Sequence, residues 1–311
     1  MNLTPLERLR LSLTGLSTGD AFGETFLRSP TQLEPLIATR ELPPGPWTYT
    51  DDSEMAFSIV ELLARDGTID QDRLALAFAH RFDRARGYGS GASRLLAAVR
   101  DGADWRVEAP RLFPSGGSYG NGAAMRVAPL GAFFAEDEAE LWKQATASAQ
   151  VTHAHTEAVA GAIAVALAAA WASRFQLHGD AAQPAISDNR RRFLVWIRDR
   201  LPETEVRRRV GLATQIPFEH SPEDAARALG SGYQTSAQDT VPFVLWCAAR
   251  HLEDYAAALW TTVRGQGDID TNCAMVGGIV ALSAGAESVP PDWLTRREGL
   301  PREITELVGA A

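Results

Sequence analysis

The sequence predicts an all-α protein, a compact multi-helix bundle in one domain. Apolar residues recur at three- and four-residue intervals along most of the chain. Ser, Thr or Asp stands ahead of many of those segments, where a helix cap belongs. No alternating run of β-branched residues persists long enough to make a strand, and nothing repeats at a fixed period. With 311 residues, 45% of them hydrophobic, the chain can bury a substantial core. It has no low-complexity linker, so residues 1–311 read as a single domain.

The elements follow in order. Thr4, Pro5 and Glu7 supply a cap, a proline at the first helical position and a capping-box glutamate. That helix runs through Leu16 to Glu24. Residues 28–47 carry five prolines and little periodicity, so they read as loop. Met55, Ile59, Leu62 and Leu63 mark a helix that starts behind Thr50 and ends near Gly67. Asp70 caps the next, with Leu74, Leu76 and Phe78. Gly87 to Gly91 is a glycine-rich turn, and Ser93 to Val99 a helix. Residues 105–120 read as irregular. Helical pattern returns over Gly122–Phe134, Glu138–Ala147 and from about His153 to Phe175. The apolar run Ala158 to Ala172 falls short of the roughly 20 residues of a membrane span, and its alanines suit a central helix packed closely by others. Residues 176–190 read as a polar surface loop. Arg190–Leu201, Glu203–Leu212, Pro222–Leu229, Gln238–His251 and Asp254–Val263 are further amphipathic helices. A small-residue helix then reaches Ala284, for a total on the order of a dozen.

Composition excludes some functions. A net charge of −9 argues against a general affinity for nucleic acid or anionic membrane. The run Arg190 to Arg192 then reads as a solvated face. Cys247 and Cys273 form no metal-spaced motif and no disulfide framework, which fits a reducing compartment. The start M-N-L-T-P-L-E-R lacks a basic region followed by an apolar run. A cytoplasmic monomer, free of membrane, is the expectation.

Two acidic clusters carry the chemistry. In T-Y-T-D-D-S-E-M-A, Thr48 to Ala56, the carboxylates of Asp51 and Asp52 sit behind Thr50 at a helix start. The positive end of the helix favours their ionised form, which a hard cation needs. Plain helix capping would use the same residue types. Gly265 to Met275 repeats the grammar with Asp268, Asp270 and Thr271 at a glycine-flanked turn; a capped turn is again the simpler alternative. The clusters lie about 215 residues apart. Gathered together, their carboxylates would repel one another unless a cation such as Mg²⁺ or Mn²⁺ stood among them.

Between them lies G-G-S-Y-G-N-G-A-A-M, Gly116 to Met125. Its glycines leave backbone amides bare, which suits a loop around phosphate oxygens ahead of a helix. It is neither a Walker loop nor a dinucleotide fingerprint. Tyr119 could stack on a base; a flexible surface loop is the alternative. His153 and His155 precede the alanine-rich helix, as polar caps or as donors to a ribose or phosphate.

G-D-A-F-G-E (Gly19 to Glu24), T-D-D-S-E-M (Thr50 to Met55), G-S-Y-G-N-G-A-A-M-R (Gly117 to Arg126), T-H-A-H-T-E-A (Thr152 to Ala158) and G-D-I-D-T (Gly267 to Thr271) occur in this order. Together, over nearly the whole chain, they resemble the ADP-ribosylglycohydrolase family, which includes dinitrogenase reductase-activating glycohydrolases and ADP-ribosyl-arginine and ADP-ribosyl-serine hydrolases. The resemblance implies an all-α fold with two Mg²⁺ or Mn²⁺ ions. Thr50, Asp51 and Asp52 would be ligands from one side, and Asp268, Asp270 and Thr271 from the other. Gly117, Ser118, Tyr119, Gly120, Asn121 and Gly122 would hold the diphosphate and adjoining ribose, with Tyr119 near the adenine and His153 on the adenosine side. Asp51, Asp52 and Asp268 would take part in the chemistry.

Two positions depart from the family pattern. Ser53 stands where threonine is common, keeping the hydroxyl. Leu27 stands where many members have a glutamate that gates the site or assists the chemistry, which leaves Glu24 as the nearest acid. The expected activity is hydrolysis of the bond between the distal ribose of ADP-ribose and an acceptor, with arginine on a protein first. Serine, O-acetyl-ADP-ribose and ADP-ribosylated nucleic acid are alternatives. So are a non-catalytic ADP-ribose-binding protein and, from the residues alone, a two-metal nucleotide phosphohydrolase.

Overall fold

The computed structural model describes residues 3–27, 30–114, 116–175 and 186–308. Among them are eighteen α-helices and no strand. In chain order they are α1 (Pro5–Glu24), α2 (Pro30–Thr39), α3 (Asp51–Asp66), α4 (Gln71–Arg81), α5 (Ser90–Arg100), α6 (Trp105–Arg111), α7 (Gly122–Met125), α8 (Ala128–Phe133) and α9 (Glu138–Gln150). Then come α10 (Thr156–Phe175), α11 (Ile186–Asp199), α12 (Glu205–Ala213), α13 (Pro222–Leu229), α14 (Ala237–Arg250), α15 (Tyr255–Arg264), α16 (Ile269–Ala284), α17 (Pro291–Arg296) and α18 (Arg302–Val308).

Local chemistry sets the ends. The Thr4–Glu7 capping box forms, and Asp70 and Ser221 accept from backbone amides at the starts of α4 and α13. Gly67 ends α3 in the left-handed conformation, at φ 69°.

Several sequence expectations need correction. Residues 30–39 are helical and not loop: Pro30 sits at the helix start, where its missing N–H costs nothing, although Pro35 lies inside the helix and forgoes one of its backbone bonds. Residues 105–111 are helical as well, started by the Asp104 cap. The stretch Gly122–Phe134 is two short helices, because Pro129 restarts the chain in a new direction. The helix expected from about His153 begins at Thr156. Of the expected loop 176–190, residues 176–185 lie outside the described residues, and 186–190 already belong to α11. The C-terminal helices α17 and α18 carry too short a periodic signal to read from sequence.

The core is built around α10 and α16. The helix α10 is long and apolar enough to cross a membrane, but 78% of its apolar window is buried against neighbouring helices, so it serves as a core helix. Its alanines let α7, α8, α9, α14 and α16 pack directly on it. The helix α1 lies along α16 at backbone contact. A Cβ on Gly15 would stand 2.3 Å from the Gly277 carbonyl oxygen, on Gly19 2.2 Å from that of Cys273, and on Gly23 2.6 Å from Cα of Asp270. Glycine at every fourth position of α1 therefore makes a groove in which α16 lies. This sets Asp20 beside the start of α16.

The chain entering α3 is pinned from the other side. Trp47 exchanges backbone hydrogen bonds with Arg296 and Glu298 at 2.6 and 2.8 Å. The Tyr49 amide donates to Glu298 Oε1 at 2.8 Å. Trp47, Phe22 and Trp293 pack ring on ring, with Phe22 stacked on Trp293 at 4.3 Å.

Candidate metal centre and ligand cavity

Three helices meet at the acidic clusters. Thr50 is the N-cap of α3 and accepts from the Asp52 amide at 3.3 Å. Asp20, buried on α1, completes the capping: its carboxylate accepts from the amides of Thr50 and Ser53 at 3.0 Å and from the Ser53 hydroxyl at 2.5 Å. Thr50 and Asp20 thus meet the orphan N–H groups of Asp52 and Ser53. The Asp51 carboxylate accepts from its own amide, and Asp52 is not spent on capping. At the second cluster Asp268 is the N-cap of α16 by position, yet its side chain makes no capping bond. Asn121 Nδ2 donates to Asp268 Oδ2 at 2.7 Å instead. Capping alone, the simpler sequence alternative, does not account for these acids.

The structure brings the two clusters together. Thr271 Oγ1 donates to Asp52 Oδ2 at 3.3 Å. Asp20, Asp52 and Asp270 each offer an oxygen within 4.8 Å of the others. Burial pushes their carboxyls up. For Asp20, hydrogen bonds from Ser53 and Thr50 pull back against burial and leave it at about 6. Asp270 is raised by burial and then by the Asp20 charge, also to about 6. Asp268, raised by burial and by Asp270, reaches about 7. Asp51 and Asp52 lie well above the ordinary range, through burial first and then through the charges of Asp270 and Asp20 respectively.

The donor set fits a hard cation. It consists of carboxylate and hydroxyl oxygens. Among the described residues, the buried Oδ1 atoms of Asp52 and Asp270 have no hydrogen-bond partner. Such atoms are costly unless something satisfies them.

These residues border a cavity of about 270 Å³. Asp51, Asp268, Asp270 and Thr271 line one side, and Ser118, Gly120, Asn121, Gly122 and His153 another. Thr50 and Asp52 sit behind that lining, with Thr50 buried and bonded to Asp20. Gly117 and Tyr119 do not line the cavity. Gly117 packs at φ 109° against Ala154, and Tyr119, 42% exposed, turns its ring onto His155 at 5.6 Å. Glu24 ends α1 outside the lining, half-buried, its carboxyl raised by burial. Leu27 is half exposed.

Sequence reasoning missed Asp20 as a site residue. Its signal was available: between Arg10 and Glu24 it is the one charged residue, flanked by Gly19 and Ala21. The same cavity is walled by Gly87, Gly89, Ser90, Gly91 and Phe113, drawn from the turn before α5, the first residues of α5 and the segment after α6, and named by no motif. Glu54, the third acid of the first cluster, points elsewhere and accepts from the Tyr88 hydroxyl at 2.7 Å and the Asp83 amide at 3.1 Å. That tether holds the segment in which Gly87 approaches Asp51.

Compared with known proteins, residues 1–311 match the family model described as ADP-ribosylglycohydrolase. The ADP-ribosylhydrolase ARH3 of Bos taurus is 28% identical over 343 residues, covering 94% of this chain and 89% of that one. The ADP-ribosyl-[dinitrogen reductase] glycohydrolase of Rhodospirillum rubrum is 25% identical over 305 residues, covering 95% and 92%. A solved structure titled ADP-ribosylglycohydrolase-related protein complex shares the fold at a TM-score of 0.63 and 22% identity, covering 98% and 96%.

Proposed function

The chain belongs to the ADP-ribosylglycohydrolase family, whose members are glycosidic-bond hydrolases, and from that premise we propose that it frees ADP-ribose from a modified acceptor by cleaving the bond at the distal ribose. One observation carries the reading. Both acidic clusters and the glycine loop border the same cavity, although they lie far apart in sequence.

In this reading Thr50, Asp51, Asp52, Asp268, Asp270 and Thr271 hold two Mg²⁺ or Mn²⁺ ions. When bound, such ions polarise sugar hydroxyls and lower the pKa of water. Of the glycine loop, Ser118, Gly120, Asn121 and Gly122 border the diphosphate; the amides of Gly117, Gly120 and Asn121 are bonded within the fold, to the Phe113 carbonyl, Ser118 Oγ and the Thr235 carbonyl. His153, which lines the cavity, meets the adenosine side, whereas Tyr119 stands outside the lining with its ring on His155. Asp51 and Asp268 face the cavity, where negative charge stabilises an oxocarbenium-like sugar. Of the groups available for the water proton, a cavity-facing oxygen of Asp268 is better placed than Glu24, which lies outside the lining.

We take arginine on a protein as the first acceptor. The acidic wall suits a guanidinium, and the name of the Rhodospirillum rubrum relative places its substrate's ADP-ribose on a protein. The uncharged wall beside Asp51, made of Gly87, Gly89, Ser90 and Gly91, favours serine as the second candidate. Arginine-, serine-, acetyl- and nucleic-acid-linked ADP-ribose should be incubated with the protein in Mg²⁺, in Mn²⁺ and in chelator. Metal-dependent release of ADP-ribose from at least one linkage is expected. AMP or phosphate as product would mean a phosphohydrolase. Binding without release would mean an ADP-ribose-binding protein.

A further inference from the structure

Arg126 is fully buried, yet no carboxylate is hydrogen-bonded to it in the described residues. Its guanidinium lies over the Phe78 ring at 4.5 Å. From there Nη2 donates to the Ser148 carbonyl and to Thr152 Oγ1, both at 2.9 Å. Thr152 Oγ1 in turn lies 2.7 Å from Nδ1 of His153. The two residues are held in place by backbone bonds from their amides to the Ala149 carbonyl, at 3.2 and 2.8 Å.

We infer that Arg126 is a positioning residue which, through Thr152, fixes His153 as the neutral tautomer carrying its proton on Nε2. The argument is a count of protons. The guanidinium can only donate, so Thr152 Oγ1 accepts from it. The hydroxyl proton of the buried Thr152 then needs an acceptor, and His153 Nδ1 is the one in reach. With the proton on Nδ1 instead, Oγ1 would receive two donors and its own proton would be left buried without a partner, a costly arrangement. Burial and the Arg126 charge also hold the imidazole far below its ordinary range, at about 3, so it stays neutral.

The consequence falls on the cavity. His153 lines it, and Nε2 rests against the glycine loop: a Cβ on Gly120 would stand 3.3 Å from it and on Gly122 3.0 Å. The relay thus presents a fixed N–H donor to an oxygen of a ligand lying along that loop. This role rests on the reading of the loop as the diphosphate–ribose cradle.

The test separates the two. In the ligand-free full chain, long-range ¹⁵N–¹H correlation of the His153 ring should show Nε2 protonated and Nδ1 bare. Thr152→Val, nearly equal in volume, and Arg126→Met should each give a mixed or reversed tautomer, and Thr152→Ser should restore the original one. Affinity for ADP-ribose should fall about tenfold in Thr152→Val and recover in Thr152→Ser, as expected for one hydrogen bond. A wild-type ring protonated on Nδ1 would overturn the inference without recourse to any variant. So would an unchanged tautomer in folded Thr152→Val. Failure of the wild type to bind ADP-ribose would overturn the proposed function and leave the tautomer result standing.

Discussion

Thr271 Oγ1 donates to Asp52 Oδ2 at 3.3 Å, a direct bond between residues 219 positions apart. It ties the start of α16 to the start of α3, and both helices direct their positive ends at one cluster of aspartates. That dipole support is not enough. Burial and mutual repulsion still push all five carboxyls up, from Asp20 through Asp270. The metal-free fold therefore carries acids that would rather be protonated.

A pH dependence with a definite sign follows. Asp20 and Asp270 titrate at about 6 and Asp268 at about 7 in the folded chain, against 3.8 ordinarily. A carboxyl raised in the folded state stabilises it below its unfolded pKa, and that contribution is lost as pH rises through the folded value. In chelator, the melting temperature should fall as pH rises from about 5 to about 8. Saturating Mg²⁺ should flatten that slope, because the cation binds the ionised form and leaves the folded state no extra protons to lose. At a hundredfold excess over Kd it should add about 2.7 kcal/mol near neutral pH. Thermal melts across that range, with and without metal, check this. A chelated protein that gains stability with rising pH refutes it.

Asp20→Asn tests the residue hidden in the first motif. Asp20 accepts from the amides and hydroxyls of both Thr50 and Ser53, and Asn would turn a donor toward them. The start of α3 should loosen, and the ligand oxygens of Asp51 and Asp52 with it. Mg²⁺ affinity should fall about 10- to 100-fold, as for lost support around a metal ligand. Calorimetric titration with Mg²⁺ measures it, and an unchanged affinity would reduce Asp20 to a capping residue.

Much of this site was legible in the sequence, for a physical reason. Asp51, Asp52, Asp268, Asp270 and Thr271 sit at helix starts, and helix starts leave a local signature of polar residues and glycine. Asp20 lies in mid-helix, where the 3.6-residue pattern is read for packing and a single acid is easily passed over. The same holds for Gly15, Gly19 and Gly23: their four-residue spacing is visible, but its partner is the separate helix α16. The wall from Gly87 to Gly91 owes its position to the long-range Glu54–Tyr88 bond, which no local pattern encodes. The helices at 30–39 and 105–111 were obscured by prolines: Pro30 opens its helix, but Pro35 and Pro110 stand inside theirs, where a proline ordinarily argues against a helix.

Gly19→Ala should show how closely fold and site are joined. Its Cβ would lie 2.2 Å from a backbone oxygen of α16, which cannot turn aside as a side chain could. Overpacking in a tight core costs about 1–3 kcal/mol, and contact with rigid backbone puts this case at the upper end. Urea unfolding should show a loss of about 3 kcal/mol together with weakened Mg²⁺ binding, since α1 carries Asp20. Gly299→Ala, whose Cβ meets nothing within 4 Å, is the control and should be near neutral.

Asp268→Asn and Glu24→Gln separate the groups available for proton transfer. Asp268 lines the cavity and is held by Asn121 through one oxygen. Glu24 is raised by burial but ends α1 outside the lining. Loss of a general acid or base costs typically about 10²- to 10⁴-fold in turnover. Asp268→Asn should fall in or below that range with its helices intact by circular dichroism. Glu24→Gln should stay within about tenfold of wild type, short of the loss expected for a general base. Single-turnover release of ADP-ribose, measured at saturating Mg²⁺ for both variants, decides between them: a hundredfold loss in Glu24→Gln would move the proton to Glu24 and make the end of α1 part of the chemistry.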